Sequence, residues 1–449
     1  MKVLHVPFGY LPDPPGGTEV YVAALTRELA LGGIDSLIAA PTASPDDTRY
    51  DIDGVPVYRF AVSGGERPLA SLYGQGDPRF AGSVMKLVRL EAPDVIHLHA
   101  YTTAISGGLA RALHDEGRPV VATYHTPSVT CQRGTLLRFG HSVCDGRMIA
   151  ARCAACVVQG HGIPRPIADI VGYLPSACGR AIQASGLGGG VWTALQMSEL
   201  MRLRHEDTRL FLASADVVVA PADWVQALLI ANGVDPRKIV VSRHGVGRRA
   251  YSRPRSPIPA LPGQPLRALM LGRIDPIKGF DVPLAALASA RDLQIELDIY
   301  GNIQGETDYV ASFRQRVARD DRVRLLPALA PDEVVETIAR YDVMLVPSQV
   351  LETGPLVVLE SHVAGVPVIG TALGGIADRV RDDVNGKLVP HRSASAWAAA
   401  LQQVASDRSI LERWRREIPP VRTMSDVADE MLAVYSGLAH RGRARPALS

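Results

Sequence analysis

Short apolar runs and helical periodicities alternate along most of this chain. Val3–Pro7, Ser36–Ala40, Asp94–His99 (DVIHLH), Pro119–Tyr124 (PVVATY), Ala215–Ala220 (ADVVVA) and Lys238–Ser242 read as short strands, several apolar enough to be buried on both faces. Thr18–Leu31, with Leu25 and Leu29 on one face, Gly82–Leu90 and Ala104–His114 space their apolar residues three or four apart and read as helices. Strand, helix, strand in succession is the rhythm of a doubly wound parallel sheet.

The rhythm stops at Arg248–Pro265, RRAYSRPRSPIPALPGQP, whose prolines cannot donate to a ladder and whose length suits a connector. It restarts with strands at Arg267–Leu271, Gln294–Tyr300, Val323–Leu326 and Val343–Val346, and helices from Gly279, near Tyr309–Ala318 and from Asp332. The expected organisation is therefore an α/β chain of two Rossmann-like domains facing a cleft: residues 1–247, a linker at 248–265, residues 266–420, and a tail at 421–449 whose amphipathic helix Met424–Leu438 returns toward the first domain. Ligands of such sheets bind at the carboxyl ends of the strands.

Composition narrows the partner. The 449 residues are 47% hydrophobic and 21% charged, enough for two or three domains with cores. Forty-eight basic against 46 acidic residues leave a formal charge of +2, with no Lys/Arg-rich block, so a small ligand is expected rather than nucleic acid. MKVLHVPFGY begins as a strand without the apolar stretch of a secretory signal, and no window of about 20 residues is apolar enough to span a bilayer. Cytoplasm is the expected location.

Three stations could carry chemistry. Gly16 and Gly17 follow the first strand and open a helix, where backbone amides favour an anion. In LGRIDPIKGF, Arg273 and Lys278 lie just past a strand between Gly272 and Gly279, and a guanidinium beside an ammonium can neutralise a diphosphate without a metal. In Ser348–Thr371, SQVLETGPLVVLESHVAGVPVIGT, Glu352 and Glu360 stand seven residues apart in an otherwise apolar run. Pro355 suits a first helical turn, which puts Glu352 in a loop and Glu360 about a turn and a half into the helix. Carboxylates among such neighbours need donors, and sugar hydroxyls supply them.

In this order, GGTE, GRIDPIKG and the spaced glutamates followed by AGVPVIGTALGGIAD resemble the retaining glycosyltransferase family 4, which has the two-domain B fold (GT-B), over nearly the whole chain. The resemblance implies a UDP-, GDP- or ADP-sugar donor whose diphosphate is held by Arg273 and Lys278 and whose ribose is held by Glu360. Glu352 and the backbone of Gly354, Leu356 and Val357 would contact the sugar or its phosphate, and Gly16 and Gly17 would lie against donor and acceptor. His125, in YHTP, matches the family's histidine at the catalytic centre, completing a catalytic set of His125, Glu352, Arg273 and Lys278. No catalytic metal is implied, and anomeric configuration is retained. Pro355 stands where many members have glycine. Competing readings are another B-fold nucleotide-sugar enzyme, epimerase or phosphorylase-like, and a metal-bearing regulatory protein on an inactive scaffold. Asp51-Ile52-Asp53 looks like the DxD metal motif of the other glycosyltransferase fold, yet DGVPV follows it and a turn into a strand is the simpler reading.

Four of the five cysteines, Cys131, Cys144, Cys153 and Cys156, fall in one stretch after His125. One Cys-x₂-Cys knuckle with two further thiols suits a structural zinc, with an iron–sulfur cluster or reduced thiols as alternatives. A similar insertion occurs in some members of the family, without assigning a metal. Cys178 stands apart. Gly160–Arg204 reads as a pair of helices lining an acceptor groove, or as a peripheral membrane element if the acceptor is lipid-linked rather than a small molecule or glycan. His97 and His99 share one face of their strand, where packing is the simpler reading than metal binding.

Overall fold

The computed structural model describes residues 1–13, 16–65, 67–248, 263–303, 305 and 307–443. Residues 249–262, most of the stretch expected as a linker, lie outside the described residues, as do Pro14 and Pro15 ahead of Gly16. The chain divides into two compact units: Met1–Arg243 with Val427–Ser449, and His244–Asp426.

Unit 1 is built on strands β1 (Lys2–Val6), β2 (Asp35–Thr42), β3 (Thr48–Ile52), β4 (Val55–Ala61), β5 (Val95–Leu98) and β6 (Val120–Thr123). A two-residue-strand hairpin, β7 (Leu137–Arg138) and β8 (Ser142–Val143), precedes β9 (Val217–Ala220) and β10 (Ile239–Val241). The main sheet runs β10-β9-β6-β5-β1-β2-β4-β3 and is parallel except for β3 against β4. Its central strands are buried throughout, as in VIHL of β5 and VVAT of β6, whereas β4 alternates buried and half-buried residues near the edge. The β3–β4 hairpin turns through Asp53 and Gly54, both with positive φ, as a tight two-residue turn requires. Asp51-Ile52-Asp53 is thus the end of a strand and its turn, and Asp53 accepts a hydrogen bond from Arg27 at 2.8 Å.

Gly160–Arg204 departs from the expected helix pair: the helices are Arg165–Gly172, Ser176–Ala184 and the long Gly190–Ser214. Asp207 anchors the last of these, accepting from the Tyr101 hydroxyl at 2.8 Å and the Gly107 amide at 3.0 Å. The end of the chain, in the helix Met424–Arg443, adds Met431 and Tyr435 to the buried interior of unit 1.

Unit 2 carries β11 (Leu266–Arg273), β12 (Ile295–Asn302), β13 (Val323–Leu326), β14 (Val343–Val346), β15 (Val368–Thr371) and β16 (Gly386–Val389). They form one parallel sheet in the order β13-β12-β11-β14-β15-β16. Trp397 and Trp414 are completely buried on helices covering it, and truncating either to alanine removes about 3–5 kcal/mol of packing. The helix expected from Asp332 is a single short segment, Val334–Ile338, and β15 and β16 lie outside the strands assigned from the alternation.

Both sheets reverse direction at one point. In unit 2 the chain moves outward from β11 through β12 to β13, then resumes on the other side at β14. In unit 1 the reversal lies between β1 and β5. Loops leaving the two strands at such a reversal diverge, opening a crevice at the strand ends where ligands bind.

Candidate functional site

In unit 2, Arg273 ends β11 and Lys278 ends the short turn Pro276–Lys278, which Asp275 caps by accepting from the Ile277 amide at 2.9 Å. Glu352 follows β14 on the other side of the reversal. The loops are clamped together: the Gln349 amide donates to the Ile277 carbonyl at 2.7 Å, and a Cβ on Gly279, whose φ is +66°, would lie 2.3 Å from the Pro347 oxygen. Glu352 is held from behind, its carbonyl accepting from the Gly375 amide at 2.6 Å.

The clamp brings Lys278 Nζ to 2.7 Å from Glu352 Oε1, which also accepts from the Ser348 hydroxyl. Burial pushes the Glu352 carboxyl up, but Lys278, Ser348 and Arg273 outweigh it and hold it below its ordinary range. Glu352 is therefore ionised at neutral pH. Arg273 lies 3.9 Å from Asp275 Oδ2, and its Nε is enclosed without a hydrogen-bond partner among the described residues. An enclosed guanidinium nitrogen left in that state is a donor waiting for an acceptor.

The helix Leu356–Val363 begins immediately after Pro355, which stands at its N-cap rather than inside the first turn. Val358 and Leu359 pack inward; Leu356 and Val357 are half-buried at the open N-terminus. Gly354 is fixed by His244, which burial lowers to about 4 and keeps neutral, so that its Nδ1–H donates to the Gly354 carbonyl at 3.3 Å. A side chain on Gly354 would strike that ring at 2.1 Å. Glu360 sits in the second turn, half-buried, with no hydrogen bond or ion pair to its carboxylate among the described residues; burial alone pushes it up to about 7. It differs from Glu352 in having, among the described residues, no cation to hold it ionised.

In unit 1 the strand ends gather histidines instead. His5 lies on β1, His97 on β5, and His99 and His125 just past β5 and β6. His5 Nδ1 is 3.0 Å from His99 Nε2, and His99 Nδ1 is 3.1 Å from His125 Nε2. His97 is bonded on both sides, to the Tyr435 hydroxyl and the Thr123 hydroxyl, each at 2.6 Å. All four histidines are buried. Burial lowers His5 to about 3 and puts His97 and His99 well below the usual imidazole range, with neighbouring imidazoles adding to the effect on the last two.

Neutral imidazoles carry one N–H each, so the two ring-to-ring bonds fix their tautomers together. His5 Nε2 is enclosed with no partner among the described residues, and an orphaned acceptor is better tolerated than an orphaned donor. This favours His5 donating to His99 and His99 donating to His125. Sequence reading placed His125, His97 and His99 but gave no part to His5 or Tyr435; a histidine at the end of each of three neighbouring strands was the available signal. His5, His97 and His99 also offer one nitrogen each within 4.8 Å of one another, but both nitrogens of His97 are already hydrogen-bonded.

The GG turn is less open to an anion than its amides suggest. Glu19 in the first turn reaches back and accepts the Gly16 N–H at 2.9 Å, placing a carboxylate beside Gly16 and Gly17 at the start of the helix Gly17–Leu31. Such a group suits hydroxyls better than phosphate.

The four clustered cysteines border one cavity, yet among the described residues no three of their sulfurs lie within 4.8 Å of one another. Burial raises Cys144 and pushes Cys153 up to about 12, so as bare thiols they are poor nucleophiles. Cys178 is exposed. Ile167, Ile170, Tyr173, Val191 and Trp192 are exposed in the segment 165–214. No helix among the described residues is long and apolar enough to cross a membrane.

Comparison with known proteins agrees across the chain. Residues 16–245 match the glycosyl transferase 4-like domain and residues 254–419 match glycosyl transferases group 1. D-inositol 3-phosphate glycosyltransferase of Mycolicibacterium vanbaalenii is 30% identical, over 96% of this chain and 87% of that protein; its counterpart in Mycolicibacterium gilvum is 30% identical over 94% and 84%. Among solved structures, sucrose-phosphate synthase of Thermosynechococcus elongatus superposes with TM-score 0.65 at 18% identity, covering 98% of this chain and 99% of that one. HepE of Anabaena, solved with UDP and glucose, gives 0.60 at 17% identity over 97% and 100%. These likenesses place both units in the B fold of two Rossmann-like domains.

Proposed function

The chain belongs to the glycosyltransferases of group 1 with a 4-like N-terminal domain, and from that premise we propose that it moves a sugar from a nucleoside diphosphate sugar to an acceptor hydroxyl with retention of configuration. The observation that carries the donor reading is the cation pair at the reversal of the unit 2 sheet: Lys278 held by Glu352, beside Arg273, whose enclosed Nε makes no hydrogen bond among the described residues. A diphosphate leaving group supplies the missing acceptor and gains negative charge as the glycosidic bond breaks. Preorganised cations stabilise that charge more in the transition state than in the bound donor, and one such contact contributes about 2.7–4 kcal/mol to the barrier.

Each remaining group follows from its state. Glu360, uncompensated by protein donors, takes the ribose hydroxyls. Glu352, kept ionised, and the amides opening the helix Leu356–Val363 take the sugar or its phosphate. From unit 1 we assign His125 to the transfer step: an imidazole held from behind by His99 is placed to orient a hydroxyl. The departing phosphate takes the acceptor proton, so no metal enters the scheme.

Several solved relatives in the B fold are described with UDP, UDP-glucose or ADP, which sets the donors to try, and the curated relatives' name makes D-inositol 3-phosphate the first acceptor to try. We place the protein in the cytoplasm, with the exposed apolar side chains of 165–214 as a membrane-facing surface in the case of a lipid-linked acceptor. The test is incubation with UDP-, GDP- and ADP-sugars, with and without acceptors, read by mass spectrometry and by the anomeric signal of the product. Transfer with retention supports the proposal. Donor turnover to an isomer without acceptor would instead establish an epimerase.

A further inference from the structure

We propose that Cys131, Cys144, Cys153 and Cys156 bind one zinc ion that staples an irregular excursion onto unit 1. Regular structure is sparse in this segment, which Asn232 and Arg209 fasten to unit 1 only near its end, at Gly146 and Met148. Between Cys131 and Cys156 the regular structure before the helix Ala150–Gly160 consists of β7 and β8, two residues each. Its backbone is also strained: Leu136 has φ +52° and Phe139 has φ +53°, a left-handed conformation that non-glycine side chains adopt reluctantly. Such conformations persist when their surroundings over-determine them. Part of that determination comes from the buried Leu136, Leu137 and Met148; small irregular segments commonly obtain the rest from cross-links or metals.

The four cysteines surround the right kind of space. They border a cavity of about 30 Å³, room enough for an ion or a water. Two sulfurs already receive backbone amides, Cys144 from Gly146 at 3.5 Å and Cys156 from Phe139 at 3.2 Å. Amide donors to sulfur are the outer contacts that compensate thiolate charge at metal sites. Arg133 adds its Nη1 at 3.8 Å from the Cys156 sulfur, and Arg152 also borders the cavity. Four thiols that give up their protons to the solvent around one divalent ion leave a net charge of −2, which Arg133 offsets in part, whereas Arg152 is already paired with Asp145 at 2.9 Å.

The thiols do not yet converge. Zinc–sulfur bonds of about 2.3 Å in a tetrahedron set sulfur spacings of about 3.8 Å, closer than any trio of these sulfurs stands. Binding therefore turns side chains inward on a backbone already placed around the cavity. All four positions are filled by protein, so the ion is structural and takes no part in transfer; the proposal stands or falls independently of the donor reading.

Elemental analysis of the untagged full-length protein from zinc-supplemented culture is expected to give about one zinc per chain, and cobalt substitution to give the intense thiolate-to-metal absorption and visible bands of a tetrahedral sulfur site. Cys153→Ser and Cys156→Ser should lose the metal, while Cys178→Ser, at an exposed position, keeps it. Because the first two variants could fail to fold, the wild type is also titrated with a thiol reagent: four thiols should be protected until zinc is chelated and reactive afterwards. Wild-type protein that holds no zinc after reconstitution, with all four thiols reactive in the folded state, overturns the proposal. Iron with acid-labile sulfide in place of zinc overturns it as well.

Discussion

At the ends of β1, β5 and β6, unit 1 gathers four buried imidazoles and two hydroxyls; at the ends of β11 and β14, unit 2 gathers Arg273, Lys278 and Glu352, part-exposed and charged. Both sets occupy the reversal point of a parallel sheet, so topology does not explain the difference. Solvation does. The histidines are enclosed deeply enough that burial keeps His5, His97 and His99 neutral, and they satisfy one another through hydrogen bonds between rings and hydroxyls. The cations stay near solvent and keep unmet capacity, with Arg273 Nε making no hydrogen bond among the described residues. One region is suited to orienting a group, the other to absorbing charge.

Substitutions should separate the two roles. Arg273→Ala or Lys278→Ala is expected to slow transfer roughly a hundredfold or more and to weaken donor binding, because each removes charge stabilisation at the leaving group. Steady-state kinetics and calorimetry measure both, and wild-type turnover would remove the residue from the site. His125→Ala should lower turnover about ten- to a hundredfold, the scale of one hydrogen bond to substrate, while donor affinity stays unchanged; a parallel loss of affinity would erase the division between the units.

Glu360 sharpens the contrast through pH. Its carboxyl is raised from its ordinary 4.5 to about 7, and hydroxyl donors favour the ionised form, so donor affinity should be full above about pH 7 and fall as pH drops through it. Glu360→Gln should weaken binding and flatten this dependence. For folding the sign reverses: a raised carboxyl gives its stabilising contribution below about 4.5 and loses it as pH rises through about 7. The glutamine variant should therefore be the more stable protein above pH 7, and a variant with the wild-type pH profile in both measurements would contradict the assignment. The smallest effect belongs to Tyr435→Phe, which leaves one side of buried His97 unbonded and should cost about 1–3 kcal/mol in urea unfolding without changing donor affinity.

The alternation of apolar runs with helical periodicity made most of both sheets legible, because central parallel strands are buried on both faces and read as continuous Val, Ile and Leu. The turn into β4 was read from DGVPV, but β3, β15 and β16 were missed: β3 is antiparallel at the sheet edge and polar, and VIGT and GKLV are short and lie among glycines. Arg273, Lys278, Glu352 and Glu360 were visible because charge in an apolar run, or between glycines, requires a reason. Their pairing was not, since whether Lys278 meets Glu352 depends on the clamp from Gln349 to Ile277. Tyr435 was invisible as a partner of His97, and His5 was signalled only by its place at a strand end, because strand order, not sequence distance, puts these groups together.

The central claim, that the charged groups after β11 and β14 hold a nucleoside diphosphate, is tested most directly by titration calorimetry of UDP-, GDP- and ADP-sugars into the wild type and into Arg273→Ala/Lys278→Ala. The account predicts that at least one donor binds the wild type and that the double variant, folded by circular dichroism, loses roughly a hundredfold or more in affinity. Equal affinity in the two proteins, or no binding of any of the three donors to the wild type, would contradict it.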